Sequence, residues 1–170
     1  MIVKPALAEH NARPGIKALY ESAFPEDERV PWDELKRLAK SDALRFDAYY
    51  EDGAGLCGTT LLYEGKACRW LWYFAVPEHL RGRGFGTEIL KNLIRNSPDL
   101  PFVLDIESPE APCANLYERK RRLAFYVKNG FRDSGLRRRW GKTDYALLVH
   151  GSARFREEDA AVLEREVARL

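Results

Sequence analysis

The chain has 170 residues, of which 45% are apolar and 32% are charged. This length and composition predict one globular domain over residues 1–170 and exclude a disordered chain. The formal net charge of +2 is too small to indicate nucleic-acid binding by itself. No apolar run reaches the length of a membrane span, and the stretch MIVKPALAEHNARPG lacks the features of a signal peptide, so we expect a cytoplasmic protein that binds no membrane.

The cysteines and histidines of the chain share no close spacing. They stand at Cys57, Cys68, Cys113, His10, His79 and His150. The CxxC pairs and clustered histidines that mark zinc sites do not occur. We therefore expect reduced thiols, no disulfide framework and no metal.

Two helices and three strands are predicted in the first half of the chain. The apolar spacing indicates helices over 14–23 and 33–40, the first of them beginning at Pro14. Strands are predicted over 45–50, 55–63 and 67–76, with the turns EDG and EGK between them. The third strand, ACRWLWYFAV, is apolar at nearly every position, which is typical of a central strand covered on both faces.

The second half alternates between helices and strands. Helices are predicted over 87–96, over 115–129 and from about 156, and strands over 101–107, 131–140 and 143–149. We expect Leu116, Leu123 and Val127 to face inward from the helix at 115–129, together with Tyr126 or Ala124, and Gly130 to cap that helix. The element order predicts an α/β domain with a mixed sheet and one strand-helix-strand crossover.

The crossover contains the stretch RGRGFG, residues 81–86, directly before a helix. A helix N-terminus has unpaired N–H groups and a partial positive charge, so it attracts phosphate. Glycine lets the backbone approach a ligand closely, and Arg81 and Arg83 add positive charge beside the same amides. These residues predict a site for a diphosphate.

Two other interpretations of the glycines are weaker. The stretch could be a flexible turn with solvated arginines. A dinucleotide fold would use Asp105 or Glu107, which follow Gly86 by roughly the 20 residues that such a fold requires. The spacing is GxGxG instead of GxGxxG, however, and PEHLR separates the strand from the first glycine.

The residues from Arg81 to Gly86 match the [QR]xxGx[GA] signature of the GNAT superfamily of acyl-CoA-dependent N-acetyltransferases, which this chain resembles. The segment RLAFYVKNGF, 122–131, is similar to the family's second signature, and YESAFPEDERVPW, 20–32, looks like its N-terminal part. The resemblance covers roughly residues 67–131. The chain departs from it at Asn115, which lies upstream of the position where many members have an asparagine facing the cofactor.

The resemblance implies a fold and a cofactor. The fold would be a mostly antiparallel mixed sheet, with one parallel pair splayed at the CoA site and helices on its faces. Acetyl-CoA would be the co-substrate, with its pantetheine against the backbone of Phe74, Ala75 and Val76. The pyrophosphate would lie on the amides of the loop, next to Arg81, at Gly82, Arg83, Gly84, Phe85, Gly86 and Thr87. The Thr87 hydroxyl would add a contact or would simply start the helix.

The same resemblance implies roles for Tyr126 and for a backbone N–H near Val76. Tyr126 matches the family position of the acid that protonates the departing thiolate, although a core aromatic would explain it too. The N–H would stabilise the oxyanion. For the base, the strand pattern puts Glu107 on the same face as Asp105, where it would either accept a proton or form an ion pair.

The acceptor is predicted only as an amine. Glu26, Asp27 and Glu28, with Asp105 and Glu107, would attract a cationic amine, although solvated loop charge explains them equally. Small molecules and peptides both fit, and no oligomeric state is indicated. The leading interpretation is an N-acetyltransferase that uses direct attack by a primary amine. A CoA-binding regulatory module without turnover is the alternative. Nucleic-acid binding through the arginines of residues 137–140 is disfavoured, because charge on an exposed strand usually protects an edge.

Overall fold

The computed structural model describes residues 1–8, 11–96, 99–110 and 114–170, so that His10 and Cys113 lie outside the described residues. The strands are β1 Ile2–Pro5, β2 Leu7–Ala8, β3 Asn11–Ala12, β4 Leu44–Glu51, β5 Gly55–Glu64, β6 Arg69–Ala75, β7 Phe102–Glu107, β8 Phe131–Trp140 and β9 Thr143–His150. The helices are α1 Ile16–Ala23, α2 Trp32–Leu38, α3 Phe85–Arg95, α4 Leu116–Lys128 and α5 Glu157–Val167, with a 3-10 turn at Glu78–Leu80.

Seven of these strands form one mixed sheet with one parallel pair. Their order is β1-β4-β5-β6-β7-β9-β8, so β6 is the fourth of the seven. The strands β2 and β3 form a separate antiparallel pair. The predicted α/β fold and the central position of the strand ACRWLWYFAV are therefore confirmed.

The described chain divides into two compact units. Unit 1 comprises 1–64, 71–95 and Leu170, and unit 2 comprises 65–70 and 96–169. Strand β6 contributes its first two residues to unit 2 and the remainder to unit 1. The single domain over 1–170 stays a prediction.

In unit 1 the strands β1, β4 and β5 pair antiparallel, and the register shifts near Tyr49 so that Cys57 is the extra residue of β5. Gly58 follows this bulge. A Cβ at Gly58 would lie 2.7 Å from Ile89 Cδ1 and 2.8 Å from the carbonyl oxygen of Ala75. Real Cβ atoms do not approach other atoms so closely, so only glycine allows α3 and the end of β6 to pack this near β5.

In unit 2 the strands β7 and β9 pair antiparallel, and β9 pairs antiparallel with β8. The aromatic rings of Phe102, Phe131 and Tyr126 form the packing under α4, with centroids 5.8 Å apart for Phe102 and Phe131 and 5.7 Å apart for Tyr126 and Phe131. The N–H of Gly130 donates to Val127 O as α4 ends, as predicted. Leu163 of α5 is buried.

The predicted inner face of α4 is wrong at Leu116 and Val127. Leu116 is 36% exposed and Val127 is 53% exposed, whereas Tyr126 is buried. Neighbouring helical positions point about 100° apart, so a helix that buries Tyr126 turns Val127 toward solvent. Leu116 lies in the first turn. Strand β1 was not predicted from the sequence either, because its residues are exposed and it pairs with β4 through backbone groups.

No helix in the described ranges is both long and apolar enough to cross a membrane.

Candidate active site

The glycine loop of unit 1 joins the 3-10 turn to α3. Gly82 has a φ of 74° and Gly84 a φ of 92°, conformations that favour glycine. A Cβ at either position would meet no atom within 4 Å. The glycines are therefore needed for backbone conformation, and the space in front of them is open.

The amides of residues 82–87 have no hydrogen-bond partner among the described residues. The first helical hydrogen bond of α3 runs from the Glu88 N–H to Gly84 O, at 3.1 Å. The N–H groups of Phe85, Gly86 and Thr87 precede it and remain unpaired within the helix, as at any helix start. With the positive end of the helix dipole, these donors form a site suited to an anion.

Arg81 and Arg83 stand beside the amides and are exposed. The Nε of Arg81 donates to the carbonyl oxygen of Val76 at 3.4 Å, which ties the loop to the residue after β6. The Arg83 guanidinium carbon lies 5.8 Å from the centroid of the Phe85 ring. Arg81 therefore has two possible contributions, the charge that it brings and the loop conformation that it holds.

Phe74 and Ala75 are the last two residues of β6, and Val76 is the first residue after it. Ala75 is buried and the other two are half-buried. The Ala75 carbonyl lies close to Gly58 of β5, as described above. The predicted cofactor residues from Phe74 to Thr87 thus follow one another along a single stretch of unit 1.

The acidic loop between α1 and α2 is also in unit 1. Glu26 and Asp27 are exposed, and neither forms an ion pair with a described residue. Two buried tyrosines hold the loop at Val30: the Tyr20 hydroxyl donates to Val30 O at 2.9 Å, and the Val30 N–H donates to the Tyr73 hydroxyl at 3.0 Å. The loop therefore presents its charges from a fixed backbone.

This role of Tyr20 and Tyr73 was not predicted from the sequence. The apolar spacing predicts the helix that contains Tyr20, but it does not show which group the hydroxyl bonds to. The two rings meet edge to face at 5.1 Å, and Phe24 packs 4.8 Å from Tyr73. Burial, with the neighbouring Tyr73, raises the pKa of Tyr20 far above its usual value, so its hydroxyl stays a donor.

Tyr126 lies in unit 2, on the inner side of α4. It is 8% exposed, and its hydroxyl bonds to no group in the part of the chain that the structure describes. Burial raises the pKa of the phenol well above its usual value; Arg122 opposes this shift, and the negative charge of Asp105 adds to it. The hydroxyl is therefore protonated at neutral pH and able to donate.

Glu107 ends β7 and is buried in an ion-pair cluster. Its carboxylate lies 2.7 Å from Arg119 Nη2 and 2.9 Å from Arg122 Nη1, and it accepts from Asn115 Nδ2 at 3.4 Å. Arg119 also donates to the carbonyl of Ser108 at 3.0 Å. Of the two roles that the sequence leaves open for Glu107, this geometry favours the ion pair. Its role as a base stays a prediction.

Asp105 lies two residues earlier on the same strand and has different surroundings. The indole Nε1 of Trp70 donates to its Oδ1 at 2.6 Å, and no described cation pairs with it. Burial raises the pKa of Asp105 to about 6, an effect that the hydrogen bonds from Trp70 and from the backbone N–H of Asp105 itself partly offset. The pKa of the predicted acceptor-binding carboxylate is thus well above that of an ordinary aspartate.

Residues 13–131 match the model of the acetyltransferase (GNAT) family, more than half of the chain. The chain belongs to this family. The match contains both the glycine loop and Tyr126, so the resemblance carried by these two segments is confirmed. A sequence search of curated proteins finds no significant match.

Solved structures of GNAT proteins share the fold at low identity. A GNAT-family protein from Bacteroides thetaiotaomicron is 21% identical, with a TM-score of 0.69 over 91% of this chain and 88% of that one. A GNAT acetyltransferase from Elizabethkingia anophelis with acetyl-CoA bound is 17% identical, with a TM-score of 0.62 over 88% and 97%. The ribosomal-protein-S18-alanine N-acetyltransferase of Escherichia coli is 16% identical, with a TM-score of 0.54 over 75% and 82%.

The three consecutive arginines of β8 in this GNAT protein, residues 137–139, are paired with carboxylates. Arg137 contacts Asp133 at 2.8 Å and Glu110 at 3.2 Å, and Arg139 lies 3.7 Å from Asp144. Arg138 contacts Glu157 and Glu164 of α5. Because each guanidinium faces an acidic side chain, this segment does not form a stripe of uncompensated positive charge.

Within the residues described, no three His, Cys, Asp or Glu side chains form a group that would hold a metal ion.

Proposed function

We propose that this GNAT protein transfers the acetyl group of acetyl-CoA to a primary amine by direct attack. The observation that carries the proposal is the open glycine loop, with unpaired amides at the start of α3 and Arg81 and Arg83 beside them. The family match supports acyl transfer in general. The acetyl group and the amine acceptor are our additions to it.

The diphosphate of CoA would bind to the amides of residues 82–87, with Arg81 pairing to a phosphate oxygen. Pantetheine would follow the backbone of Phe74, Ala75 and Val76. The acetyl-CoA in the Elizabethkingia anophelis structure, which has the same fold, supports this choice of co-substrate. The Thr87 hydroxyl would provide a further donor.

The reaction forms a C–N bond and breaks the C–S bond of the thioester. The neutral amine attacks the carbonyl carbon, and a backbone N–H near Val76 would stabilise the oxyanion. The electron pair of the C–S bond goes to sulfur, and the Tyr126 hydroxyl would protonate it. Support for Tyr126 comes from its match to the second signature and from a hydroxyl that is protonated and unbonded within the described residues.

The acceptor would be a cation in solution. Glu26 and Asp27 are exposed and unpaired within the described part of the chain, and the loop that carries them is held at Val30. Uncompensated negative charge on a fixed loop attracts ammonium groups. The Escherichia coli enzyme is named for an alanine amine of a ribosomal protein, which supports an amine acceptor. A cytoplasmic location is proposed on the free, buried thiols of Cys57 and Cys68.

Two measurements test this function together. Release of the CoA thiol is followed with acetyl-CoA and a panel of polyamines, aminoglycosides, amino acids and peptide amines, and CoA binding is measured by calorimetry. Thiol release that depends on one class of amine would support the proposal. CoA binding without turnover of any amine would favour the CoA-binding regulatory module instead, and no CoA binding would contradict both.

A further inference from the structure

Helix α4 is attached to the strands of unit 2 by little apolar packing. Of its 13 residues Tyr126 alone is buried, and its ring packs against Phe131 of β8. Leu123 and Phe125 are half-buried, while the other apolar side chains of the helix are exposed. Most of the stability of a helix in a protein comes from the packing of its apolar face. The position of α4 therefore depends on its polar contacts as well.

The polar contacts of α4 converge on Glu107, the last residue of β7. Its Oε1 lies 2.7 Å from Arg119 Nη2, and its Oε2 lies 2.9 Å from Arg122 Nη1. Asn115, directly before the helix, forms no side-chain capping bond; its amide group instead donates to Glu107 and accepts from Arg119 Nε at 2.9 Å. Arg119 also donates to the carbonyl of Ser108 at 3.0 Å. One buried carboxylate thus joins the first two turns of α4 to the end of β7.

The two arginines and Tyr126 lie on the same face of α4. Arg119, Arg122 and Tyr126 are separated by three and four residues, the spacing of neighbours along one side of a helix. Helical side chains also lean toward the N-terminus, so Tyr126 leans toward the turn that carries Arg122. The contact that Glu107 makes with Arg122 is therefore one turn away from the proposed acid.

We infer that Glu107 is a positioning residue that holds α4 through Arg119 and Arg122 and thereby sets the position of the Tyr126 hydroxyl. The inference rests on the proposed role of Tyr126 as the acid and adds the group that places it. Both oxygens of Glu107 are occupied by arginines, which suits a role without proton transfer. Placement matters because a displacement of about 1 Å can lower a rate by ~10².

The variants Glu107→Gln and Arg122→Met test this role. We expect each to lower kcat for the best amine of the panel by roughly 10- to 100-fold, with little change in the affinity for CoA. Arg122→Lys, which keeps a cation for the Glu107 carboxylate, should recover much of the loss. The Arg122 side chain is 45% exposed, so its variants should fold even where Glu107→Gln does not. The rates are measured at a temperature at which thermal unfolding shows each variant to be folded.

A double-mutant cycle with Tyr126→Phe separates positioning from stability. Once the hydroxyl is absent its placement no longer matters, so Arg122→Met should then change kcat by no more than about twofold. A purely structural contact would lower Tm and leave kcat of the folded protein unchanged. The pH profile of kcat/KM for Glu107→Gln should keep its wild-type shape. Loss of an inflection on the acid side would identify Glu107 as a base and would overturn the inference.

Arg121→Met is the matched control for the arginine variants. Arg121 adjoins Arg122 in the sequence, but its guanidinium carbon lies 5.7 Å from the centroid of the exposed Tyr117 ring, so the variant should match the wild type. Wild-type kcat in folded Glu107→Gln and Arg122→Met, or losses that persist in full beside Tyr126→Phe, would overturn this inference alone. A wild-type protein that releases no thiol with any amine would overturn the proposed function and this inference with it.

Discussion

The indole Nε1 of Trp70 lies 2.6 Å from Oδ1 of Asp105, and this is the single side-chain hydrogen bond that the carboxylate accepts from the described residues. Burial without a compensating cation raises the pKa of Asp105 to about 6, above the reference value of 3.8. When the pKa of a group is higher in the folded state than in the unfolded state, protonation of that group stabilises the folded state. Folding stability is therefore lost as the pH rises from about 4 through about 6.

Asp105→Asn should accordingly make the protein more stable above pH 6. The neutral amide avoids the cost of a buried charge, and we expect a gain of about 1–3 kcal/mol at pH 8 that shrinks at pH 5, where wild-type Asp105 is already protonated. Thermal unfolding at the two pH values measures it. An equal or larger gain at pH 5 would contradict the assigned pKa shift.

Gly84→Val should weaken CoA binding. Valine tolerates a φ of 92° poorly, so the loop must change conformation and its amides would no longer converge on one anion. Gly53→Val is the matched control, because Gly53 has a φ of 76° and similarly open surroundings but lies in the β4–β5 turn. Calorimetry with CoA should show a loss for Gly84→Val alone, and equal affinities would contradict the site.

Tyr126→Phe should lower turnover by the ~10²–10⁴ typical of a positioned acid, with little change in CoA affinity. The substitution keeps the ring that packs against Phe131 and removes only the hydroxyl. Tyr117→Phe, on the same helix but 70% exposed, provides the control. Single-turnover rates under conditions where chemistry limits should separate the two variants. A wild-type rate for Tyr126→Phe would leave Tyr126 as a core aromatic.

Glu107→Gln should destabilise the protein. The substitution leaves the partly buried Arg119 without its charged partner, and Arg122 loses a contact at 2.9 Å. Breaking a fully buried ion pair lowers the free energy of unfolding by at least about 3 kcal/mol. The loss should be smaller here, because the partly exposed Arg122 can still be hydrated by solvent. We expect about 2–4 °C of lower Tm for each kcal/mol lost. Glu110→Gln, with an exposed carboxylate, should change Tm little, and a similar small effect for Glu107→Gln would contradict the ion-pair role.

The specificity constant for the best amine should fall as salt concentration rises. The attraction between the acidic loop and a cationic amine is screened over about 10 Å at 0.1 M salt. A variant with Glu26→Gln and Asp27→Asn should bind the amine more weakly and respond less to salt, because these charges are its source. The measurement is kcat/KM between low and high salt for both proteins. A salt-independent rate, or an anionic best acceptor, would rule out the cationic preference.

The parts of the molecule that the sequence predicted well are those with a strong local signal. The apolar run of β6, the glycines of the loop and Gly130 at the end of α4 all impose a local conformation, and each lies where it was predicted. The errors concern choices that depend on packing. The spacing of apolar residues in α4 does not show that the helix buries Tyr126 and exposes Val127. It also does not show that Arg119 and Arg122, one and two turns from the start of α4, both contact Glu107.

Polar contacts formed over long sequence separations were also beyond prediction. The hydroxyls of Tyr20 and Tyr73 both bond to the backbone of Val30, and the indole of Trp70 bonds to Asp105. These contacts join segments that are distant in the sequence, and the residue spacing does not indicate which of them pair. The sequence could name Asp105 as an acidic residue on a strand. Only the surroundings in the folded protein distinguish its carboxylate from that of Glu107.

A substitution at Gly58 would affect parts of this protein beyond its own strand. Alanine and valine usually cost a strand little or strengthen it, but at Gly58 the first added carbon would meet the rigid carbonyl of Ala75 as well as the side chain of Ile89. The backbone that would guide pantetheine and the helix that begins at the glycine loop would both have to move. In a saturation mutagenesis library of β5, even Gly58→Ala should therefore be poorly tolerated. Gly58 would in this way be needed for the geometry of the glycine loop, although it lies far from that loop in the sequence.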